Sequence, residues 1–407
     1  MLKRTIFYLI LSSICFFSCK QKTTTFFANT LWQPGYLDIH FIHTGQGNSS
    51  FIVFPDGTTL LIDAGEAKPR NTYPYYPPFN NENLTAGQRI VKYIEHFSPK
   101  DTLDYALITH FHSDHYGELT SQSKLSKNNV YKLTGITEVG EYIKIKSLID
   151  RGYPNYEYPI DLKENDSTFL NYLKFIKYQK GQYGMNIESL DLGKYDQIKM
   201  MHNAKDYSNF IIENLKVNQY ILSEEGNSIE EYNFNSPLVN EKGYYNENPL
   251  STALKISYGN FDYYVGGDLP GINDYPDYDI ESAISKCVGE VDAMSLNHHG
   301  HKDASNLNFL KTLTPQVIAH QAIHDPHFAP NVQANLLKTD ADVFTFFMSD
   351  SIKNIYKEQV KKRYKGIYGN FFIRVYPEGE EFSVFTIDPN SNEFRINNQF
   401  GFYKSRK

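Results

Sequence analysis

Positive charge is in short supply: 40 lysines and arginines face 47 acidic residues, a net charge of −7 over 407 residues. That balance excludes a general attraction for polyanions, so any nucleic-acid contact has to come from a local basic patch. Cysteine is scarcer still, with three residues, of which Cys15 and Cys19 sit together near the start. With those two assigned to a leader and its processing point, only Cys287 remains and no intrachain disulfide is available. After residue 20 there is no long apolar run, so nothing later reads as a membrane span. What is present supports a folded core. Hydrophobic residues make up 41% and aromatics 15%, which argues against disorder and suits one large domain or two ordinary ones. The many tyrosines and asparagines read as polar, aromatic loops.

Lys3 and Arg4 form a short basic start, and Ile6 to Phe17 is almost wholly apolar. Such a run is too brief for a comfortable span and suits a targeting segment. Phe16-Phe17-Ser18-Cys19 resembles the lipobox of bacterial lipoproteins. That resemblance implies a signal peptide over 1–18, a lipid anchor at Cys19 and a polar tether over 19–34. It also implies a place in the bacterial cell envelope, periplasmic or outer-membrane. A plain secretory leader or a membrane anchor is the other reading.

The chain is organised around Leu103–Gly117. The apolar run Tyr105-Ala106-Leu107-Ile108 predicts a buried strand, which ends in Thr109-His110-Phe111-His112-Ser113-Asp114-His115. Four metal-capable side chains within six positions at a strand end build a poor core and a good metal site. In an extended loop His110 and His112 share a side. Asp114 and His115 begin the next element and face away from that pair, so the motif supplies ligands for two ions. Imidazole and carboxylate suit zinc, with manganese or iron as alternatives.

Around this stretch the residues predict further strand ends. Strands are expected over 37–42, 50–54 and 58–62, with a Pro55-Asp56-Gly57 hairpin turn between the last two. The third ends in Asp63-Ala64-Gly65, where a carboxylate is placed to orient a ligand from behind. Glycines in His43-Thr44-Gly45-Gln46-Gly47-Asn48 permit close backbone approach. A helix follows over 86–97. Residues 119–248 inform less. Helical patterns appear near 141–150 and 167–179, and strand-like runs near 196–200 and 209–222. His202 is the only histidine there; it is a candidate third imidazole for the first ion, and otherwise a surface residue.

A second hairpin, 252–258 with 261–265, ends in Gly266-Gly267-Asp268, a carboxylate suited to bridging two cations. A helix near 277–288 and a strand near 291–296 lead into His298-His299-Gly300-His301. One of His298 and His299 is expected to bind the second ion, the other to contact substrate or donate a proton. Helices near 304–313, 330–338 and 351–363 alternate with strands at 316–319 and 342–347, and strands 370–376 and 381–387 close the domain. His327, in the loop after residue 319, is a candidate substrate contact.

Together these motifs resemble the metallo-β-lactamase superfamily. The run from His43 to Gly65, the segment Gly259–Asp268 and His298-His299-Gly300-His301-Lys302-Asp303-Ala304-Ser305 also resemble the extracytoplasmic hydrolase domain of ComEC-type competence proteins. The resemblance spans roughly 36–387, with 120–250 poorly matched. It departs at Asn48, where the family usually has Asp, and in lacking any channel-forming segment, so DNA uptake is not implied. It implies an α+β fold, an αββα four-layer sandwich of two mainly antiparallel sheets, over 35–390 with a tail at 391–407. It further implies a two-zinc hydrolase. His110 and His112 hold one ion; Asp114, His115 and His298 or His299 hold the other; Asp268 bridges. Asp114 and His299 are also assigned to catalysis, and Asp63, Gly65 and Asn48 stand behind the ligands. The expected substrate is a phosphodiester, small-molecule or nucleic-acid, with no protein partner. The alternatives are a metal-stabilised binding lipoprotein without turnover, or a hydrolase of another ester or a lactam.

Overall fold

Alternation sorts the side chains of the first strands to two faces. In β1 (Leu37–Phe41) Leu37, Ile39 and Phe41 point one way. Ile52 of β2 (Ser50–Val53) and Leu60 and Ile62 of β3 (Thr59–Ile62) join them. Phe51, Val53 and Leu61 point the other way, into a second core. The computed structural model describes residues 31–68, 76–78, 83–164, 166–234, 237–272, 278–367 and 369–406. The expected leader and Cys19 lie outside them. Among the described residues no helix is long and apolar enough to cross a membrane.

Next to β3, the strands β4 (Thr102–Leu107), β5 (Lys144–Asp150) and β6 (Asn186–Ser189) run parallel. The second sheet begins antiparallel with β7 (Phe210–Val217), β8 (Tyr220–Leu222), β9 (Ile229–Glu231), β10 (Ala253–Tyr258) and β11 (Phe261–Val265). A small ribbon of β12 (Gly271–Ile272) and β13 (Tyr278–Asp279) stands apart. From β11 the second sheet continues in parallel through β14 (Ala293–Ser295), β15 (Val317–His320), β16 (Asp342–Thr345) and β17 (Tyr364–Gly366). The chain then returns beside β1 as β18 (Phe371–Val375), β19 (Glu381–Ile387) and β20 (Ile396–Lys404).

Helices cover both outer faces. On the first sheet lie α1 (Ala86–Phe97), the single turn α2 (Ser113–Tyr116), α3 (Gly135–Tyr142) and α4 (Ser167–Tyr183). Residues of α5 (Ile280–Val288), α6 (Leu307–Leu313) and α7 (Pro330–Leu336) pack on the second. The result is the expected αββα order, with two nine-stranded sheets facing each other across one core. Both sheets are mixed: the first has five antiparallel and three parallel pairings, the second four of each, so the expectation of mainly antiparallel sheets holds for the first and is corrected for the second.

Four segments also differ from the expected elements. Residues 144–150 form β5, not a helix, and 196–200 carry Ile198 and Met200 into the core without pairing as a strand. The helix expected over 351–363 breaks at Tyr356 (φ −110°, ψ 34°) into α8 (Asp350–Ile355) and α9 (Lys357–Arg363). The expected tail at 391–407 contains β20, an edge strand of the first sheet. The parallel registers β3/β4 and β11/β14/β15 bring the carboxyl ends of these strands to one edge. Asp63, His110–His115, Asp268 and His298–His299 all follow those ends.

Candidate metal centre

The loop after β4 is held by backbone before its side chains act. Asn48 N–H donates to the Asp114 carbonyl at 2.7 Å, and Gly65 N–H donates to the Asn48 carbonyl at 2.9 Å. A Cβ at Gly65 would run into the Asp114 carbonyl, which is why a glycine stands there. Gly65 and Asn48 therefore support the ligand loop through their main chains. Asp63 (φ 60°) turns back under the loop. Its carboxylate accepts from Thr109 N–H and Thr109 Oγ1, each at 2.8 Å, and meets His115 Nδ1 at 2.7 Å.

Asp268 lies between two groups of donors. Its Oδ1 is 3.1 Å from His115 Nε2 and 3.5 Å from His299 Nε2, which in turn is 3.5 Å from Asp114 Oδ2. Its Oδ2 is 3.8 Å from His110 Nε2, and that nitrogen is 3.2 Å from His112 Nδ1. Asp114, His115, Asp268 and His299 thus form one set of donor atoms, and His110, His112 and Asp268 another, each set within 4.8 Å. His115 does not turn away from His110 as expected, since their ring centroids are 4.1 Å apart. The tight turn into α2 folds the ring back, and the two sets are separated by which oxygen of Asp268 they face.

The tautomers show what this arrangement lacks. His115 Nδ1 donates to Asp63, and His299 Nδ1 donates to the Gln321 carbonyl at 3.0 Å. The two Nε2 atoms, 3.2 Å apart, then present lone pairs to each other and to Asp268 Oδ1. That oxygen is buried and has no well-aligned hydrogen-bond donor. Lone pairs converging at the floor of a cleft suit a divalent cation, and the residues fit one. Without a cation a proton takes its place. Burial alone would lower His115, yet the carboxylates of Asp268 and Asp63 raise it well above the ordinary range. The Asp268 carboxyl, which burial would raise, is held well below its ordinary range by His115, His299 and His298. A divalent cation bound here would displace protons.

His298 and His299 both sit in the left-handed region (φ 45° and 52°), a strained turn for histidines. It aims His299 at the donor set and His298 at Asp303, whose Oδ1 meets His298 Nδ1 at 2.7 Å and His301 Nδ1 at 2.8 Å. His299, not His298, therefore joins Asp114 and His115, although His298 Nε2 stays 3.8 Å from Asp268 Oδ2. His327 stacks on His299 at 4.7 Å and lines the cleft over the site. The cleft holds about 330 Å³ and is also walled by Lys68, His301 and His324.

His202 is not in this site. Its ring is 42% exposed, 2.7 Å from Lys100 Nζ and 3.9 Å from Asp104, near the start of β4, whereas the site lies at the strand's other end. Its candidacy as a ligand is corrected. Sequence reasoning missed Glu247, whose Oε1 accepts Phe111 N–H at 2.7 Å inside the ligand run, and Arg151, which grips both oxygens of Glu247 at 2.6 Å. No local motif marks either residue.

The His298–His299 turn rests on Glu281. This fully buried carboxyl accepts Asn297 Nδ2 at 2.9 Å, Ser305 N–H at 2.8 Å and Asn306 N–H at 2.7 Å. Burial nonetheless pushes its pKa from 4.5 up to about 7. Between those pH values the folded chain holds a proton that the unfolded chain has lost, so stability falls as pH rises through the interval. The full shift corresponds to about 3 kcal/mol. Denaturant melts of metal-free protein at pH 4.5 and 7.5 should differ less, by about that amount, in Glu281→Gln than in the natural chain.

A comparison with curated proteins gives no match. Among solved structures, a Parabacteroides distasonis protein put forward as a metal-dependent hydrolase aligns at 11% identity and a TM-score of 0.35. The alignment covers 76% of this chain and 92% of that one. CmlA, a diiron β-hydroxylase from Streptomyces venezuelae, aligns at 12% identity and a TM-score of 0.39, over 82% of this chain and 53% of its own. Zinc-bound PqqB from Methylobacterium extorquens aligns at 10% and 0.37, over 82% and 99%. Likenesses this distant say nothing of what this chain acts on. Residues 43–174, the span from the His43 loop into α4, match the model of the Metallo-beta-lactamase superfamily, and the αββα sandwich is that superfamily's fold.

Proposed function

We propose that this chain is a two-metal hydrolase that cleaves phosphodiester bonds, acting from a lipid anchor at Cys19 in the cell envelope. The observation that carries the reading is Asp268, one buried carboxylate offering Oδ1 to one donor set and Oδ2 to the other. Two divalent cations held there would supply an acidified water and offset the charge that builds on a phosphoryl centre. The chain's own residues do the rest. Asp63 fixes the proton of His115 on Nδ1, and the Gln321 carbonyl does so for His299, so both Nε2 atoms face inward. His327 Nδ1 accepts Ile323 N–H at 3.2 Å, which leaves the ring proton on Nε2 as a donor to substrate oxygen. The imidazole N–H groups of the rim offer donors to an anionic substrate, with Lys68, paired to Glu118 at 3.0 Å, beside them. The net charge of −7 and the modest cleft favour a small one over long DNA. The motifs resembling ComEC-type domains point to the same bond.

Metal analysis of the purified protein, with a bis-p-nitrophenyl phosphate assay, tests the proposal. Two equivalents of divalent metal and turnover abolished in His112→Ala are expected. Bound metal without turnover on any ester of a nucleotide, glycerophosphodiester and lactam panel would favour a non-catalytic binding role.

A further inference from the structure

The two donor sets are unequal. Around Oδ1 of Asp268 stand Asp114, His115 and His299; around Oδ2, among the described residues, stand His110, His112 and the Nε2 of His298, whose other nitrogen holds Asp303, but no second carboxylate. We propose that the carboxamide of Asn248 supplies the missing oxygen donor on the His110–His112 side. The inference rests on the two-ion reading above and adds to it a residue of the divergent middle section.

Chain path puts Asn248 at the site. It opens a short 3-10 turn, Asn248–Leu250, just before β10. Because β10 is antiparallel to β11, pairing Leu254 with Val265, the start of β10 lies at the edge where β11 delivers Asp268. The segment is tied to the ligand loop on both sides. Glu247 accepts the N–H of Phe111, between His110 and His112, at 2.7 Å. Downstream, Ser251 Oγ accepts Asp268 N–H at 3.1 Å, and Thr252 N–H donates to the Thr109 carbonyl at 3.0 Å.

The side chain is 7% exposed, and its Nδ2 lies 3.2 Å from His298 Nε2. That nitrogen faces Asp268 Oδ2 at 3.8 Å, the oxygen that His110 Nε2 also faces at 3.8 Å. Asn248 Oδ1 is buried without a hydrogen-bond partner. A buried carbonyl oxygen rarely stays unpaired, and a cation would satisfy it. The consequence is an asymmetry of charge. The His110 side has the imidazoles of His110 and His112, with His298 at its margin, a shared carboxylate and a neutral amide. The His115 side has two imidazoles and two carboxylates. The His110 side therefore holds its ion more weakly and exchanges it first.

Zinc titration of the demetallated full-length protein against a chromophoric chelator, with elemental analysis of the endpoints, tests this. The natural chain should load in two steps. Asn248→Ala should weaken the looser step by about tenfold or more and leave the tighter one unchanged. Asn248→Asp, equal in size and shape, should tighten the looser step. If Asn248→Ala melts normally and both steps match the natural chain, the inference fails while the two-ion reading stands. Should the alanine variant not fold, an aspartate variant with unchanged steps overturns the inference alone. A natural chain that binds fewer than two ions removes the two-ion reading and this inference with it.

Discussion

On the proposed two-ion phosphodiesterase reading, replacing Asp268 with asparagine is expected to strip both ions at once and to lower turnover by on the order of 10⁴-fold or more. The expectation follows from the two faces of the carboxylate. Its Oδ1 meets His115 Nε2 and its Oδ2 meets His110 Nε2. An amide keeps one oxygen, now neutral, and turns an NH2 group toward the nitrogens on the other side. Each donor set loses either a ligand or the negative charge that offsets its cation. Asp114→Asn is a useful contrast, because Asp114 faces only the His299 set. That variant should keep one ion while the Asp268 variant keeps none. Elemental analysis after gel filtration separates the two, and melting in chelator checks the fold. His115 keeps its partner Asp63 at 2.7 Å in both variants, so the metal-free fold should survive. Two retained ions in Asp268→Asn would remove the bridging role.

Much of this site is legible in the sequence because metal ligands cluster at strand ends. The run His110 to His115 declares itself, and Asp268 and His299 each follow an apolar strand through a short turn. The choice between His298 and His299 is not legible. It depends on a left-handed turn and on the Gln321 carbonyl, neither of which has a local signature. Residues 144–150 mislead for a definite reason. Ile145, Leu148 and Ile149 have helical spacing, but β5 lies between parallel neighbours, where alternation is no longer required. The closing strand β20 is mostly exposed, so no apolar pattern announces it. The search for a third imidazole also goes astray. The middle section offers only His202, at the wrong end of β4, while the segment that enters the site brings a carboxylate and an amide.

That segment is fixed by the Arg151–Glu247 pair, whose disruption carries the largest expected effect on stability. Both side chains are 1% exposed, and the guanidinium grips the carboxylate with two bonds of 2.6 Å while lying 5.1 Å over the Phe111 ring. Arg151→Met leaves a buried carboxylate without its counter-charge and should cost about 3–5 kcal/mol. Glu247→Leu strands the arginine, and Phe111 N–H loses its acceptor besides. The double variant removes both charges of the pair and should recover much of the lost stability. It restores no acceptor for Phe111 N–H, however, so the loop carrying His110 and His112 stays loose. Denaturant unfolding of the metal-free protein should therefore place the double variant above either single one, while zinc titration leaves its looser step about tenfold or more weaker than in the natural chain. Recovery of stability and zinc affinity together would mean that the pair serves the fold alone. Recovery of stability without affinity separates the two duties of Glu247: countering Arg151 and holding the ligand loop by a single hydrogen bond.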